Sequence, residues 1–281
     1  MQKRLNNIIR LLCYFFTTIN FNRNNKIYEK IHEHSFAYFF NDTQSNQINV
    51  HGVYEHEQLN EIKKLLKKKK TFLDIGANIG NHSIFFSKIF KSVYSFEPHP
   101  KIYPILNYNT KDIKNIKTYN FGLSDKKKNL LMTDGNHLGG SSINKIGKRK
   151  VKINKLDNIF KYKKIDFIKI DVEGHELEVL KGGEKLLNHN SAILNIEFNI
   201  KDFNRKNKII KFLKKINYKY YYYYEVDKND FDGRAMSIPF KILMILVRGI
   251  KEKKCTIKNI NEFKINKKFE QNIICSKYAL L

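Results

Sequence analysis

From residue 71 onward, short apolar runs alternate with stretches in which apolar side chains recur at helical spacing. The runs predict buried strands, and the spaced stretches predict amphipathic helices. Residues 71–75 (TFLDI), 92–96 (SVYSF), 116–121, 165–170 (IDFIKI) and 192–198 (AILNIEF) read as strands. Helices are expected at 81–90, 101–110, 174–188 and 202–216. Strands separated by such helices imply right-handed βαβ crossovers and a parallel sheet covered on both faces. The expected fold is a doubly wound α/β domain. A polar, glycine-containing insertion at 122–150 interrupts the series and holds an extra strand at 129–133.

The flanks carry weaker patterns. Residues 55–70 predict a helix with Leu59, Ile62, Leu65 and Leu66 on one face, ending in four lysines that suit a helix C-terminus. Residues 218–224 (YKYYYYY) and 272–276 (NIICS) have the composition of late strands. The apolar stretch 238–247 reads as a helix covering the sheet, a partner surface or a membrane-contacting segment. Residues 1–21 begin basic and hold a short apolar run without a small-residue cleavage site. They are read as a docking helix, packed on the body or lying at a membrane surface.

Composition narrows this picture. A chain of 281 residues suits one large domain, or one with an appendage, and 21 Phe residues supply a core. Three scattered cysteines, Cys13, Cys255 and Cys275, exclude a disulfide framework and a paired-Cys zinc site. No apolar run approaches the roughly 18 residues of a spanning helix. The net charge of +26 invites a nucleic-acid partner, but only 7 of 53 basic residues are Arg. The basic excess is therefore read mainly as lysines on solvated faces. Nucleic acid is disfavoured as a partner, and a basic face for an anionic ligand stays open.

The candidate chemistry lies at strand ends. In FLDIGANIGN, 72–81, Asp74 closes the first strand, Gly76 permits a turn, and Gly80 permits close approach at the next helix N-terminus. In open α/β sheets, ligands bind at the carboxyl ends of the strands. The second strand ends in Glu97-Pro98, 21 residues beyond Gly76, where a carboxylate accepts both hydroxyls of a ribose. The third ends in Ser124-Asp125, read as an adenine contact or an Asx turn. The fourth runs into Asp171-Val172-Glu173-Gly174-His175, and the fifth reaches Glu197. Asp171, Glu173, His175 and Glu197 are read as a divalent-cation site or as a base with substrate-positioning groups; capping of the next helix is the plainer alternative. His137, with Gly139-Gly140 and Ser141-Ser142, is another candidate base on a lid-like segment. The D-x-G-x-N-x-G spacing favours S-adenosylmethionine (SAM) over a dinucleotide.

These motifs, with YSFEPHP (94–100), FGLSD (121–125), GGSSI (139–143), VKINKLDN (151–158) and FIKIDVEGHELEVLKGG (167–183), resemble the FkbM family of SAM-dependent methyltransferases. The resemblance covers about residues 70–200. It implies a Rossmann-like class I methyltransferase fold, with a seven-stranded, mostly parallel sheet, at 51–281 behind an N-terminal extension at 1–50. It implies O-methylation of a sugar, glycan or natural-product hydroxyl, as in polysaccharide biosynthesis. Asp74, Gly76, Ala77, Asn78, Gly80 and Asn81 would line the methionine and ribose side of SAM. Glu97 and Pro98 would hold the ribose, Ser124 and Asp125 would flank the adenine, and Asp171 would sit by the transferring methyl. Asp171 or His175 would take the acceptor's proton, unless a metal on Asp171, Glu173 and Glu197 acidifies the hydroxyl. The expected location is cytoplasmic, with peripheral contact at the inner membrane face through residues 1–21. Competing readings are a non-catalytic glycan- or membrane-associated module, an NAD-dependent oxidoreductase and an RNA methylase.

Overall fold

A computed structural model describes residues 27–32, 34–39, 48, 53–133, 142–143, 147–198, 203–226, 255–259 and 272–281. The expectations for 1–21, 238–247, His137 and Ser141 lie outside the described residues. The chain divides into two compact units, one of residues 1–61 and 225–256, the other of 62–224 and 257–281. In the first, β1 (Ile27–His32) and β2 (His34–Phe39) pair as an antiparallel hairpin. Among the described residues, no helix is long and apolar enough to cross a membrane.

Helix α1 (His56–Leu65) leads into the α/β series. There follow β3 (Thr71–Ile75), α2 (Asn81–Ser87), β4 (Ser92–Phe96), α3 (Tyr103–Thr110) and β5 (Ile116–Tyr119). The insertion supplies β6 (Gly122–Leu123), β7 (Lys128–Met132) and β8 (Arg149–Asn154). Next come α4 (Leu156–Ile159), β9 (Phe167–Ile170), α5 (Glu176–Gly182), α6 (Glu184–His189) and β10 (Ile193–Ile196). The series ends with α7 (Phe203–Lys215), β11 (Tyr220–Val226), β12 (Cys255–Asn259) and β13 (Ile273–Ser276).

The main sheet has the order β12-β11-β13-β10-β9-β3-β4-β5. Strands β10, β9, β3, β4 and β5 are parallel, and β13 runs antiparallel to both β10 and β11. The chain winds outward from β3 to β5, then returns to β9 on the other side. The switch point therefore falls between β3 and β9. This is the doubly wound α/β fold that the pattern implied.

Three details differ from expectation. Among the described residues the main sheet has eight strands where seven were expected, because β12 pairs outside β11 and covers an edge whose backbone groups would otherwise lack partners. The expected strand 116–121 splits: β6 leaves the main sheet to pair with β8 in a separate three-stranded sheet. The expected helix 174–188 is interrupted at Gly183, beside two glycines that pack closely: a Cβ on Gly182 would lie 1.9 Å from the Ser124 carbonyl oxygen and one on Gly183 would lie 2.9 Å from Leu156.

Register across β4, β3, β9 and β10 sorts the side chains of one sheet face into rows. Val93, Phe72, Phe167 and Ile193 form an apolar row. Phe72 and Phe167 stack at 5.0 Å, and Phe86 of α2 and nearby Phe90 pack on both rings. Two residues further along lies a buried polar row, Ser95, Asp74, Lys169 and Asn195. On the opposite face, Leu73, Ile75, Ile168, Ile170, Leu194 and Ile196 join a core that takes in Leu180, Ile209 and Leu213 of α5 and α7. Phe72→Ala removes the centre of the aromatic cluster. Urea unfolding should show a loss of about 3–5 kcal/mol, as for large-to-small changes in well-packed cores.

Candidate active site

One further step along the same face brings the chain to the carboxyl ends of the strands. There stand Glu97, Gly76, Asp171 and Glu197, each two residues beyond a member of the polar row. In a strand, side chains alternate faces with period two, so apolar, polar and acidic rows follow one another. The sequence-predicted carboxylates at the ends of β4, β9 and β10 thus meet at one edge.

Gly76 makes this assembly possible. Its φ of +79° is a conformation that side chains rarely adopt, and an added Cβ would lie 1.7 Å from the Asp171 carbonyl oxygen. The Gly76 and Ala77 N–H groups both donate to the Phe96 carbonyl, so the turn is tied to β4 as well. Asn78 (φ +49°) and Gly80 (φ +99°) complete the turn and start α2, where Asn81 is buried. Asp74 lies beneath, fully buried: its Oδ2 accepts from Ser83 Oγ at 2.6 Å, and Ser83 also meets Ser95 Oγ at 2.7 Å.

Glu97 is buried and accepts two backbone N–H groups, from Asn78 at 3.0 Å and His99 at 2.8 Å. Burial pushes its carboxyl up to about 7 despite those donors and the charge of Lys169. Pro98 packs over Gly122 at the adjoining turn.

The ends of β9 and β10 hold a pair of unlike carboxyls. Burial, with the negative charge of Asp171, pushes Glu197 up to about 10, so it carries a proton at neutral pH and bonds to Asp171. Burial also opposes ionisation of Asp171, but the Lys169 ammonium, 3.1 Å from Oδ2, holds that carboxyl below its ordinary value. Carboxylate oxygens of Asp171, Glu173 and Glu197 all lie within 4.8 Å of one another. Glu173 occupies φ +51° in the turn after β9, and buried Glu176 closes that turn by accepting from Gly174 N–H at 2.9 Å.

The other candidates lie elsewhere. His175 Nε2 is 2.9 Å from Ser124 Oγ, and its Nδ1 is 3.7 Å from Glu178, which also pairs with Arg205. Burial lowers the His175 pKa against the pull of Glu178. Ser124, itself buried, donates to Asp125 Oδ1 at 3.1 Å. Ser142 is bonded to Thr133 in the insertion. Sequence reasoning missed Lys169, Ser83, Ser95 and Glu176. The only advance signal was for Lys169 and Ser95, which share strand parity with Asp171 and Glu97.

A family model described as the methyltransferase FkbM domain matches residues 74–220, just over half the chain. The chain belongs to the FkbM methyltransferase family. Its sheet order is that of the class I methyltransferase fold. Hexuronic acid methyltransferase AglP of Haloferax volcanii is 29% identical over 119 residues, 39% of this chain and 48% of that protein. Among solved structures, the FkbM methyltransferase of Methylobacillus flagellatus KT has a TM-score of 0.43 at 19% identity, covering 66% of this chain and 51% of that one. SMU.1697c of Streptococcus mutans, titled a putative methyltransferase in complex with SAH, has a TM-score of 0.37 at 15% identity, covering 60% and 84%. The chain thus spans about half the length of the curated relative and of the FkbM structure.

The family's cofactor, SAM, can be tested against these residues. Asp74 Oδ1 is a buried acceptor without a hydrogen bond, the Gly76 turn excludes any side chain, and each Glu97 oxygen has used one acceptor site. The set suits an adenosine ligand.

The electrostatics of Glu97 carry a stability signature. Its folded carboxyl titrates near 7 against a reference of 4.5, so between these values the native state holds a proton that the unfolded chain has lost. That contribution is complete below about 4.5 and disappears as pH rises through about 7. Relative to Glu97→Gln, the wild type should lose up to about 1.4 kcal/mol per pH unit between roughly pH 5 and 7 and then level off. Urea unfolding of both proteins at four pH values measures it.

Proposed function

We propose that this protein transfers a methyl group from SAM to a hydroxyl of a sugar or glycan. The observation that carries the reading is the carboxylate row at the strand ends, Glu97 and the unlike pair Asp171–Glu197, within a methyltransferase family. The glycan class is supported by the hexuronic acid methyltransferase to which part of the chain is similar.

When bound, SAM supplies an activated methyl on a sulfonium, whose departure needs no acid. The chain's part is then to hold the two partners in line and to receive one proton. Glu97, ionised, would accept the two ribose hydroxyls with the lone pairs its backbone donors leave free. Asp74, Asn78 and Gly80 would flank the methionine and ribose side, and Ser124 and Asp125 the adenine. Asp171, at the end of β9, would take the acceptor's proton on a carboxylate oxygen. A weak base suffices, because an oxygen carrying a third bond is strongly acidic.

Asp171 suits this role better than His175, whose Nε2 is engaged with buried Ser124. Glu197, protonated, steadies Asp171 by donating to it. Lys169 already gives Asp171 a positive neighbour at 3.1 Å, so we read Asp171, Glu173 and Glu197 as a proton-sharing group rather than a cation cage.

Calorimetry with SAM and its demethylated product, S-adenosylhomocysteine (SAH), tests the reading. Both should bind the wild type, more tightly at pH 8 than at pH 6 as Glu97 ionises, and Glu97→Ala should weaken each at least about tenfold. Labelled-methyl transfer should then appear on an acidic or neutral glycan and fall at least about 100-fold in Asp171→Asn. Absence of binding by the wild type, or undiminished binding by Glu97→Ala, would overturn the proposal.

A further inference from the structure

Lys169 sits in β9, the central strand, with only 5% of its surface exposed. Its in-register neighbours are Asp74 on β3 and Asn195 on β10. One row earlier, the same position on β9 is Phe167, so an apolar side chain is what this part of the sheet otherwise holds. A buried ammonium is costly unless charges and acceptors surround it. Lys169 Nζ donates to the Gly76 carbonyl at 3.1 Å, lies 3.1 Å from Asp171 Oδ2, and is 3.7 Å from Asp74 Oδ1.

Those contacts join two things that the proposed reaction requires but that the chain supplies separately. Gly76 belongs to the turn after β3, which holds the cofactor in the proposal above, and Asp171 ends β9 and takes the proton. Asp171 is otherwise surrounded mainly by carboxyls: protonated Glu197 beyond β10, and Glu173 and Glu176 in its own turn and in α5. His82, in the first turn of α2, contributes a weaker attraction. Glu173 and Glu176 repel a charged Asp171, and the Lys169 ammonium beneath it offsets that repulsion.

We propose that Lys169 is a positioning residue for methyl transfer, its buried ammonium clamping the carbonyl of the Gly76 turn and the carboxylate of Asp171 in one arrangement. The inference rests on the function proposed above. Lys169 touches neither substrate nor cofactor in this scheme; it acts through the two groups that do.

A double-mutant cycle separates this role from simple filling of space. Lys169→Met keeps most of the side-chain length and removes the charge. Asp171→Asn removes the charge it holds. SAM and SAH binding by calorimetry, together with thermal melting, would be measured for the wild type, both single variants and the double variant. The clamp requires Lys169→Met to weaken SAM binding at least about tenfold, the scale of breaking a buried pair. It also requires non-additivity: the double variant should bind SAM no worse than Lys169→Met, and melt at a higher temperature than either single variant. Additive losses, or SAM affinity within about twofold of wild type in Lys169→Met, would overturn it. If Lys169→Met does not fold, the melting data decide alone: a folded double variant supports the clamp, and an unfolded one overturns it. If the wild type binds neither SAM nor SAH, the proposed function fails, while the melting cycle still reports on the charge pair.

Discussion

The backbone of the turn after β3 lies directly against the backbone at the end of β9, with no space for even one methyl group between Gly76 and the Asp171 carbonyl. Two parallel strands that separate at a switch point normally open a crevice at their carboxyl ends. Here the crevice floor is closed by that contact and by Lys169 beneath it. Glu97 reaches the turn from the other side, accepting the Asn78 N–H. The ends of β9 and β4 therefore both hold the turn at 76–80, which sets Asp171 and Glu97 on either side of it.

The rows across β4, β3, β9 and β10 explain how so polar an edge rests on a stable core. Phe72 and Phe167 anchor the strands in an aromatic cluster that is dry and tightly packed. The next row is polar but internally satisfied for the most part, with Ser83 donating to Asp74, Ser95 bonded to Ser83 and Tyr224 reaching Asn195. The third row lies at the carboxyl ends of the strands, and there the carboxyls are made unequal by their surroundings. Asp171 has an ammonium neighbour and stays charged, whereas Glu197 has a carboxylate neighbour and stays protonated. Unlike protonation of adjacent carboxyls is the usual physical basis for dividing proton-transfer roles.

Much of this was legible in the sequence. Asp74, Glu97, Asp171 and Glu197 each fall at or just after the end of an apolar run, and strand ends are where an α/β sheet binds ligands. The two glycines of the first turn announced the positive φ values that Gly76 and Gly80 adopt. What was hidden depends on pairing between distant segments. Lys169 reads as one lysine in a strand until the register sets it beside Asp74, 95 positions earlier. His175 reads as a free first-turn base until Ser124 is brought beneath it by the close approach of Gly182. The edge strand β12 (CTIKN) has too little apolar pattern to announce itself, and the close packing of Gly183 against Leu156 joins segments 27 residues apart.

The most direct measurement is a crystal structure of the protein with SAH. The expected result places both ribose hydroxyls on the Glu97 carboxylate and the sulfur at the carboxyl ends of β3 and β9, facing Asp171 across an acceptor-sized gap. A ribose held by other residues, or a sulfur turned away from Asp171 and toward His175, would contradict the account.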